Sequence, residues 1–340
     1  MKKQQVLDCS FSSWYPIFKH ITIDSHVIPL SKDFLEYLDA DGIYLPASPN
    51  DEPSNIIEEE EEDGNPSKIP SFPGLEESIR AAIQDLGGRV FPKLNWSAPR
   101  DASWIACGNT LQCTCVNDIF LLLKSSDFIT HDLTEPFKHC TDCEQGPQDT
   151  QYELVLRRWC DISEATEFRV FVKNDDIIGI SQRDHTNYFP DLGPSAEQIH
   201  EEIEDFHDRH IAGNFLDHDY VYDVYRQDKR KFLLIDFNPF GETTDSLLFS
   251  WAELNDLDVA STDSQSWETF RYVRSAAGIQ PSQFLSYRYP VDVLHLTTGV
   301  DADRLVDFLR TEMQKPYQQE PTTSTQDDSN SVQFEDLPEK

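Results

Sequence analysis

The feature that most constrains the fold is a pair of long segments, each with two strand-like runs around a short polar turn. The first, "EFRVFVKNDDIIGISQRD" (167–184), predicts a hairpin that turns at Asn174 and Asp175. The second, "DYVYDVYRQDKRKFLLIDFNP" (219–239), predicts a hairpin that turns within residues 227–230. Such short turns connect antiparallel strands, because parallel neighbours need a crossover of about a dozen residues or more.

Other segments have the apolar spacing of helices or the composition of strands. One helix is predicted at 75–86 and is ended by Gly87 and Gly88. A second begins after an N-cap at Asn117, and a third begins at a capping box formed by Ser195 and Gln198. Two more helices are predicted around 266–276 and 302–314. The strands are predicted at 89–96 and 152–159. Hairpins with interspersed helices predict the α+β class with largely antiparallel sheets.

Two segments are too polar to contribute to a core. Residues 47–74 contain five consecutive glutamates and five prolines, and the tail at 315–340 is similarly polar. Because such segments bury too little apolar surface to offset their ordering entropy, a disordered acidic loop and a disordered tail are predicted.

The charge of the chain limits the partners it can have. With 62 acids and 28 bases, the formal net charge is −34, which argues against nucleic acid and anionic membranes as partners. No segment has the apolar length of a signal peptide or a membrane span. Seven cysteines without a secretion signal indicate reduced thiols in the cytosol or nucleus.

The end of the last strand carries two oxygen donors. Asp236 and Asn238 lie on one face of the strand, roughly 6.5 Å apart along it. Counting outwards from the turn brings Asp223 close to Asp236 across the ladder, where two like charges cost energy unless a cation separates them. The residues fit a magnesium site, and an ordinary turn at "NP" is the alternative.

Three basic residues occur inside strands that are otherwise mostly apolar. Arg169 and Arg183, on the two arms of the first hairpin, suit a polyphosphate, and ion pairs with Glu167 or Asp184 are the alternative. Lys93 suits a phosphate, or extends to solvent. No G-x-x-x-x-G-K-[ST] loop and no G-x-G-x-x-G after a strand occurs, so any nucleotide site is of another kind.

Two weaker patterns have alternative explanations. "CTC" and "CTDC" suggest a loose zinc site formed by Cys113, Cys115, Cys140 and Cys143. The N-terminal aromatic residues Trp14, Tyr15 and Phe18 are either anchors for a partner protein or the core-facing residues of an N-terminal helix.

Five longer segments, in order, carry a resemblance to a known family. They are "SFSSWYPIF", "FPKLNWSAPRDASWI", "VLRRWCDISEATEFRVFV", "GISQRDHTNYFP" and "LLIDFNPFGETTDSLLFSW". From about Cys9 to about Phe308 the chain resembles the cell division cycle protein 123 family, whose fold is of the two-lobed ATP-grasp type. The resemblance implies an N-terminal lobe at 1–152 with a phosphate-binding strand at 88–96, and a C-terminal lobe with a magnesium site at 153–314.

The resemblance also implies a role for each site residue. Lys93, Trp96 and Ala98 would lie at the phosphates, and Arg157, Arg158, Trp159, Cys160 and Ile162 would line the adenine. Arg169 and Arg183 would neutralise phosphates, and Asp223, Asp236 and Asn238 would hold magnesium.

The function implied by the resemblance is that of an ATP- and magnesium-binding assembly chaperone in the cytoplasm. Such proteins bind the gamma subunit of eukaryotic translation initiation factor two and promote assembly of its three-subunit complex, which serves translation initiation and cell-cycle progression. A ligase that activates a carboxylate of an unidentified substrate, and an acidic scaffold without nucleotide, are the alternatives.

Overall fold

The computed structural model describes residues 1–43, 45–46, 71–106, 108–142, 150–257 and 269–276. The helices are α1 (Lys3–Asp8), α2 (Phe11–Phe18), α3 (Lys32–Asp39), α4 (Pro73–Asp85), α5 (Val116–Lys124), α6 (Asp127–Thr134), α7 (Leu192–Phe206) and α8 (Trp251–Asp256). The strands are β1 (Ser25–Pro29), β2 (Val90–Lys93), β3 (Glu153–Arg158), β4 (Glu167–Lys173), β5 (Asp176–Gln182), β6 (Tyr220–Asp228), β7 (Lys231–Pro239) and β8 (Phe270–Arg271).

Within the described residues, these strands form two sheets. One has the order β1-β3-β2 and the other the order β7-β6-β4-β5-β8. Every pair is antiparallel except β5 with β8, which is parallel. The predicted α+β class with largely antiparallel sheets is confirmed.

The central strand of the three-stranded sheet contributes to two cores. Leu154 and Leu156 pack into a cluster with helices α3, α4 and α5, whereas Val155 packs into the core of the five-stranded sheet. Because Lys93 is paired with Val155 across β2 and β3, it shares that side of the sheet. Arg157 lies on the same side, two residues from Val155. This sheet therefore directs two cations towards the five-stranded sheet.

The N-terminal aromatic residues belong to the core of the five-stranded sheet. Trp14, Tyr15 and Phe18 are all buried, and the rings of Trp14 and Phe18 lie 5.5 and 5.2 Å from that of Phe237. Of the two explanations for these aromatic residues, core packing is the one that their burial supports.

Both predicted hairpins are confirmed. The first turns at Asn174 and Asp175, whose positive φ angles of 53° and 66° suit a two-residue turn between twisted strands. The second turns at the two residues between β6 and β7, within the predicted range of 227–230.

The first predicted helix and the two predicted strands are also found. Helix α4 ends before Gly87 and Gly88, whose φ angles of 91° and 85° are readily adopted only by glycine. Strands β2 and β3 lie inside the predicted ranges 89–96 and 152–159.

Two predicted helix starts are wrong. Helix α5 begins one residue before Asn117 with Cys115 as its N-cap, and the Asn117 side chain donates to the carbonyl of Pro46 instead. Helix α7 begins at Leu192, so Ser195 lies inside its first turns rather than at the cap. Proline at 194 does not prevent this earlier start, because the first helical N–H groups have no partner within the helix.

Near the end of the described chain, a strand replaces a predicted helix. Phe270 and Arg271 form β8 within the predicted helix 266–276, because Phe270 is buried against Phe168 while Arg271 points the other way onto Phe249. Three predicted segments lie outside the described residues: the helix 302–314, the tail 315–340 and residues 47–70 of the acidic loop. The last two residues of the predicted loop, 73 and 74, begin α4. No helix in the described chain is long and apolar enough to cross a membrane.

Candidate functional site

The β6–β7 hairpin places Asp223 directly opposite Asp236, as the sequence predicts. This pairing depends on two irregularities that cancel. Strand β6 has one extra residue, Gln227, next to the turn, and β7 has one extra residue, Ile235, next to Asp236. The simple count from the turn therefore reaches the right pair, although the ladder between them is shifted.

The second bulge also decides which way Asp236 points. In a regular strand, Leu234 and Asp236 would lie on the same face. Instead, Leu234 pairs with Val224 and is fully buried in the core, while Asp236 pairs with Asp223 on the opposite face. The bulge lets one short strand supply both a core residue and a site carboxylate.

Asp236 is paired with the buried lysine of β2. The Lys93 ammonium donates to Asp236 Oδ2 at 2.5 Å, with side-chain exposures of 2% and 18%. Burial lowers the pKa of Lys93, and the charge of Asp236 opposes that change. Burial likewise raises the pKa of Asp236, against the opposing charges of Lys93 and Arg157. Lys93 therefore lies at the site, and the alternative that it extends to solvent is wrong.

Two oxygen donors at the end of β7 have no partner among the described residues. Asp236 Oδ1 is buried and accepts no hydrogen bond there, and the side chain of Asn238 forms none in that part of the chain either. A carboxylate oxygen and an amide oxygen two residues apart are hard donors of the kind that magnesium prefers. The described residues contain no group of three or more acids, histidines or cysteines that could hold a metal. The described residues offer at most part of a coordination shell.

Asp223 is fully occupied by an arginine. Arg169 donates from Nε and Nη2 to the two carboxylate oxygens at 2.7 Å each, and from Nη1 to the carbonyl of Asp245 at 2.8 Å. Burial alone would raise the pKa of Asp223, but the pairing with Arg169 outweighs it and holds that pKa below its usual range. The guanidinium is therefore fixed in direction.

Arg183 lies beside this pair without a close partner. Its Nε is 3.6 Å from Asp223 and 3.9 Å from Glu167, and it is buried without a hydrogen bond in the described chain. Burial and the neighbouring charge of Arg169 lower the pKa of Arg183 to about 10. The alternative of an ion pair with Glu167 is present only as a loose contact, and Asp184 instead binds Thr186 and Asn187.

The predicted adenine segment divides into one buried arginine and a more exposed run. Arg157 donates to the Ile235 carbonyl at 2.5 Å and to the Thr22 hydroxyl at 2.9 Å, joining β3 to β7. Arg158 points the other way and pairs with Asp24. The Trp159 indole donates to Asp161, while Cys160 and Ile162 are half-buried.

The turn after β2 holds the two remaining predicted residues. The Trp96 indole donates to the carbonyl of Val6 in α1 at 2.8 Å, so this side chain fastens the N-terminus rather than turning to Lys93. Ala98 is half-buried and follows Ser97, whose carbonyl accepts from the N–H of Leu94 at 2.9 Å. The turn thus connects the strand of Lys93 to Ala98.

Asp132 beneath this turn was not predicted. It is 4% exposed and accepts hydrogen bonds from both the N–H and the hydroxyl of Ser97 at 2.8 Å. The sequence could have indicated that Asp132 is buried. It follows the apolar Ile129 by three residues and therefore shares the buried face of the helix.

The cysteines give no support for zinc in the described residues. Cys113 is buried, Cys115 is exposed, Cys140 is half-buried, and Cys143 lies outside the described residues. Burial raises the pKa of the Cys115 thiol, which disfavours the thiolate form that binds metal.

Comparison with known proteins agrees with the resemblance seen in the sequence. The family model described as D123 matches residues 14–297. The chain is 48% identical over 325 residues to the "Translation initiation factor eIF2 assembly protein" of Xenopus tropicalis, covering 91% of this chain and 97% of that protein. It is 44% identical over 329 residues to the protein of the same name from Danio rerio, covering 91% and 94%.

A solved structure gives the same result. Cdc123 from Schizosaccharomyces pombe is 39% identical, with a TM-score of 0.65, over 76% of this chain and 94% of that one. The family predicted from the five sequence segments is therefore confirmed. By family model, by sequence and by structure, the chain belongs to the D123 family.

Proposed function

We propose that this protein binds ATP with Mg²⁺ at the site between β2 and β7 and acts in the cytoplasm as an assembly factor for translation initiation factor eIF2. The observation that carries the nucleotide part is the buried Oδ1 of Asp236, which has no hydrogen-bond partner among the described residues and lies beside the Lys93 ammonium. The printed names of the relatives support the assembly role. The gamma subunit of eIF2 is the partner that the sequence resemblance implies.

The metal would be held by two of the three predicted ligands. Asp236 Oδ1 and the side chain of Asn238 have no hydrogen-bond partner among the described residues, and both residues lie on β7. Asp223 gives both oxygens to Arg169, so we assign it the role of orienting that guanidinium rather than binding metal directly. When bound, Mg²⁺ would neutralise phosphate charge, and the remaining coordination positions would be filled by phosphate oxygens and water.

The charges of the site suit a triphosphate. Four basic side chains, Lys93, Arg157, Arg169 and Arg183, lie together among carboxylates that include Glu167, Asp223 and Asp236. A chain whose formal net charge is −34 gathers these four cations at one place, which supports an anionic ligand there.

The geometry suggests how the nucleotide would lie. The Nε of Arg183 has no hydrogen-bond acceptor in the described chain, and it would donate to a phosphate oxygen. Trp159, Cys160 and Ile162 are the partly exposed residues after β3 that would line the adenine. The nucleotide would then lie between the three-stranded and the five-stranded sheets. Strand β3, which the predicted boundary at 152/153 gives to the second lobe, pairs with β1 and β2 of the first. Bound in this way, ATP would stabilise the joined state of the two lobes by mass action.

Calorimetric titration with ATP and Mg²⁺ tests the nucleotide site. The wild type should bind ATP. Asp236→Ala should weaken binding at least about tenfold, because the substitution removes a buried carboxylate that would bind the metal. Asp205→Ala is the matched control, since Asp205 pairs with Arg209 in an exposed ion pair at the end of α7, outside the site. No heat with the wild type, or equal affinity in Asp236→Ala, would refute the site.

Surface plasmon resonance with the eIF2 gamma subunit tests the partner. The net charge of −34 should accelerate association with a basic surface, and added salt should slow it. Deleting the glutamate run 58–62 should lower the association rate without abolishing binding. An association rate that does not change with salt would rule out electrostatic steering, and the absence of binding would overturn the partner assignment.

A further inference from the structure

Two cations of the proposed nucleotide site lie over one aromatic ring. The Nζ atom of Lys93 is 5.5 Å from the centroid of the Phe11 ring, and the guanidinium carbon of Arg157 is 5.2 Å from it. Arg157 also lies 5.5 Å from the ring of Phe91, its cross-strand neighbour on β2. A cation within about 6 Å of a ring centroid is attracted by the negative face of the ring. Phe11 is therefore close enough to attract both cations at once.

Phe11 is fixed in this place by its neighbours. It is the first residue of α2, it is fully buried, and its N–H donates to the carbonyl of Asn95 at 2.9 Å. The Asn95 side chain accepts from the N–H of Glu153 at 3.0 Å, which ties Phe11 to the start of β3. The ring of Tyr15 stacks on that of Phe11, with centroids 4.8 Å apart. The ring can therefore hold the two cations in position.

Arg157 needs such a contact, because its charge is buried without a carboxylate partner. Arg157 is 1% exposed, and among the described residues no carboxylate pairs with it. It donates to the Ile235 carbonyl and the Thr22 hydroxyl, and its Nε has no hydrogen-bond partner in that part of the chain. A buried charge without a counter-ion is costly. Together with these two hydrogen bonds, the faces of Phe11 and Phe91 offset that cost.

A comparison with Arg169 shows how a ring differs from a carboxylate. Asp223 binds Arg169 through both oxygens, so a full negative charge balances that arginine. An aromatic face attracts a cation through its quadrupole and adds no net charge. Phe11 therefore stabilises Arg157 without repelling an anionic ligand that approaches it.

We propose that Phe11 is a positioning residue of the nucleotide site: in the ligand-free protein its ring holds Lys93 and Arg157 as a neutral substitute for a carboxylate, and so leaves their charge available to phosphates. This inference rests on the proposed nucleotide function. The role differs from core packing, because it depends on the electrostatic potential of the ring face and not on the volume of the ring.

Stepwise fluorination of the Phe11 ring tests this role. Phenylalanines with one, two and three fluorine atoms, incorporated in place of Phe11, make the ring face progressively less negative with little change in shape. The melting temperature of the ligand-free protein should fall with each fluorine, by about 4–8 °C for three of them.

The same series at Phe18 is the matched control. Phe18 is also buried in α2, its ring lies 5.2 Å from that of Phe237, and within the described residues no cation lies over it. The melting temperature should show no stepwise fall there. Stacking on Tyr15 does not explain a fall at Phe11, because an electron-poor ring stacks on tyrosine at least as well.

Saturating ATP with Mg²⁺ gives a second readout. Phosphate oxygens would stabilise the same two cations, so three fluorines at Phe11 should lower the melting temperature less with ATP than without it. By linkage, calorimetry should show that the trifluorinated protein binds ATP about two- to fivefold more tightly than the wild type. A residue that serves packing alone would give equal losses with and without ATP.

A double-variant cycle assigns the effect to a named cation. Lys93→Met removes one of the two cations, so three fluorines at Phe11 should lower the melting temperature less in this variant than in the wild type. An equal fall in both proteins would show that the Phe11 ring does not act on Lys93, and it would overturn the inference.

The remaining results are distinct. A melting temperature that does not respond to fluorine at Phe11, or that falls equally at Phe18, would overturn the inference and leave the nucleotide site intact. Equal losses with and without ATP would identify Phe11 as a core residue only and would also overturn it. A wild type that binds no ATP would refute the proposed function itself, and with it the role of Phe11.

Discussion

Replacing Lys93 by methionine should destabilise the protein by a measurable amount, because the Lys93 side chain is buried. Lys93 is 2% exposed and donates to Asp236 at 2.5 Å. Methionine fills a similar volume but cannot donate a hydrogen bond. Lys93→Met therefore leaves Asp236 Oδ2 unpaired, in addition to Oδ1, which has no partner in the described part of the chain. The substitution removes one of the two charged groups of a buried ion pair.

The size of the effect follows from how completely the pair is buried. Removing one partner of a fully buried pair costs about 3–5 kcal/mol. The Asp236 side chain retains 18% exposure, and the charge of Arg157 acts on it too, so we expect about 2–3 kcal/mol. At roughly 2–4 °C per kcal/mol, the melting temperature should fall by about 4–12 °C.

The loss of stability caused by Lys93→Met should depend on pH, and it should be larger at higher pH. Burial already raises the pKa of Asp236, and losing Lys93 removes the largest influence that lowers it. A carboxyl with a raised pKa in the folded state favours folding when protonated, so its cost appears as pH rises through that pKa. The difference between Lys93→Met and the wild type should therefore shrink as the pH is lowered.

Thermal and urea unfolding followed by tryptophan fluorescence would measure this effect. The control is Lys138→Met, because Lys138 pairs with Glu135 at the same 2.5 Å but with exposures of 54% and 47%. An exposed pair is worth about 0–1 kcal/mol, so that variant should melt close to the wild type. Equal melting temperatures of Lys93→Met and Lys138→Met would refute the buried pair.

A double variant separates stability from binding. Lys93→Met with Asp236→Leu removes both charges, and replacing a buried pair by apolar residues is often neutral or better. Stability should therefore return to within about 1 kcal/mol of the wild type, while ATP binding stays lost. A double variant that binds ATP with Mg²⁺ normally would contradict the assignment of these residues to the site.

Two further variants test the framework of the site. Arg169→Lys keeps the positive charge but cannot bind Asp223 through two parallel hydrogen bonds. Urea unfolding should therefore show a free energy of unfolding lower by about 2 kcal/mol, and an unchanged urea midpoint would contradict the geometry. Gly179→Ala should destabilise by about 1–3 kcal/mol, because a β-carbon there would lie 2.8 Å from the Phe249 ring. Gly74→Ala, with nothing within 4 Å, is its control, and equal effects of the two substitutions would refute the contact.

Much of the local structure could be predicted because it depends on neighbouring residues. The hairpin turn at Asn174 and Asp175 follows from residue types that tolerate positive φ. The strand carrying Asp236 follows from its run of apolar and β-branched residues, and Lys93 was recognised because it is a lone charge in such a run.

The helix starts at Asn117 and Ser195 could not be placed as reliably. Each residue is a good N-cap, but adjacent residues also satisfy the requirements of a helix terminus, and tertiary packing selects among them. The strand at Phe270 was missed for a related reason: its partner, Ile180, is 90 residues away, and no local pattern reveals that pairing.

The sequence by itself indicated that Asp223 lies close to Asp236, since counting outwards from the hairpin turn brings the two residues together. The structure pairs them directly because the bulges at Gln227 and Ile235 cancel. Only the tertiary structure decided the direction of Asp236, because the bulge at Ile235 turns it away from the core that receives Leu234. It also decided that Arg169 neutralises Asp223 and that Lys93 reaches Asp236, contacts between residues 54 and 143 positions apart. Burial and charge pairing across such distances depend on how the sheets pack, and periodicity along one strand carries no information about that packing.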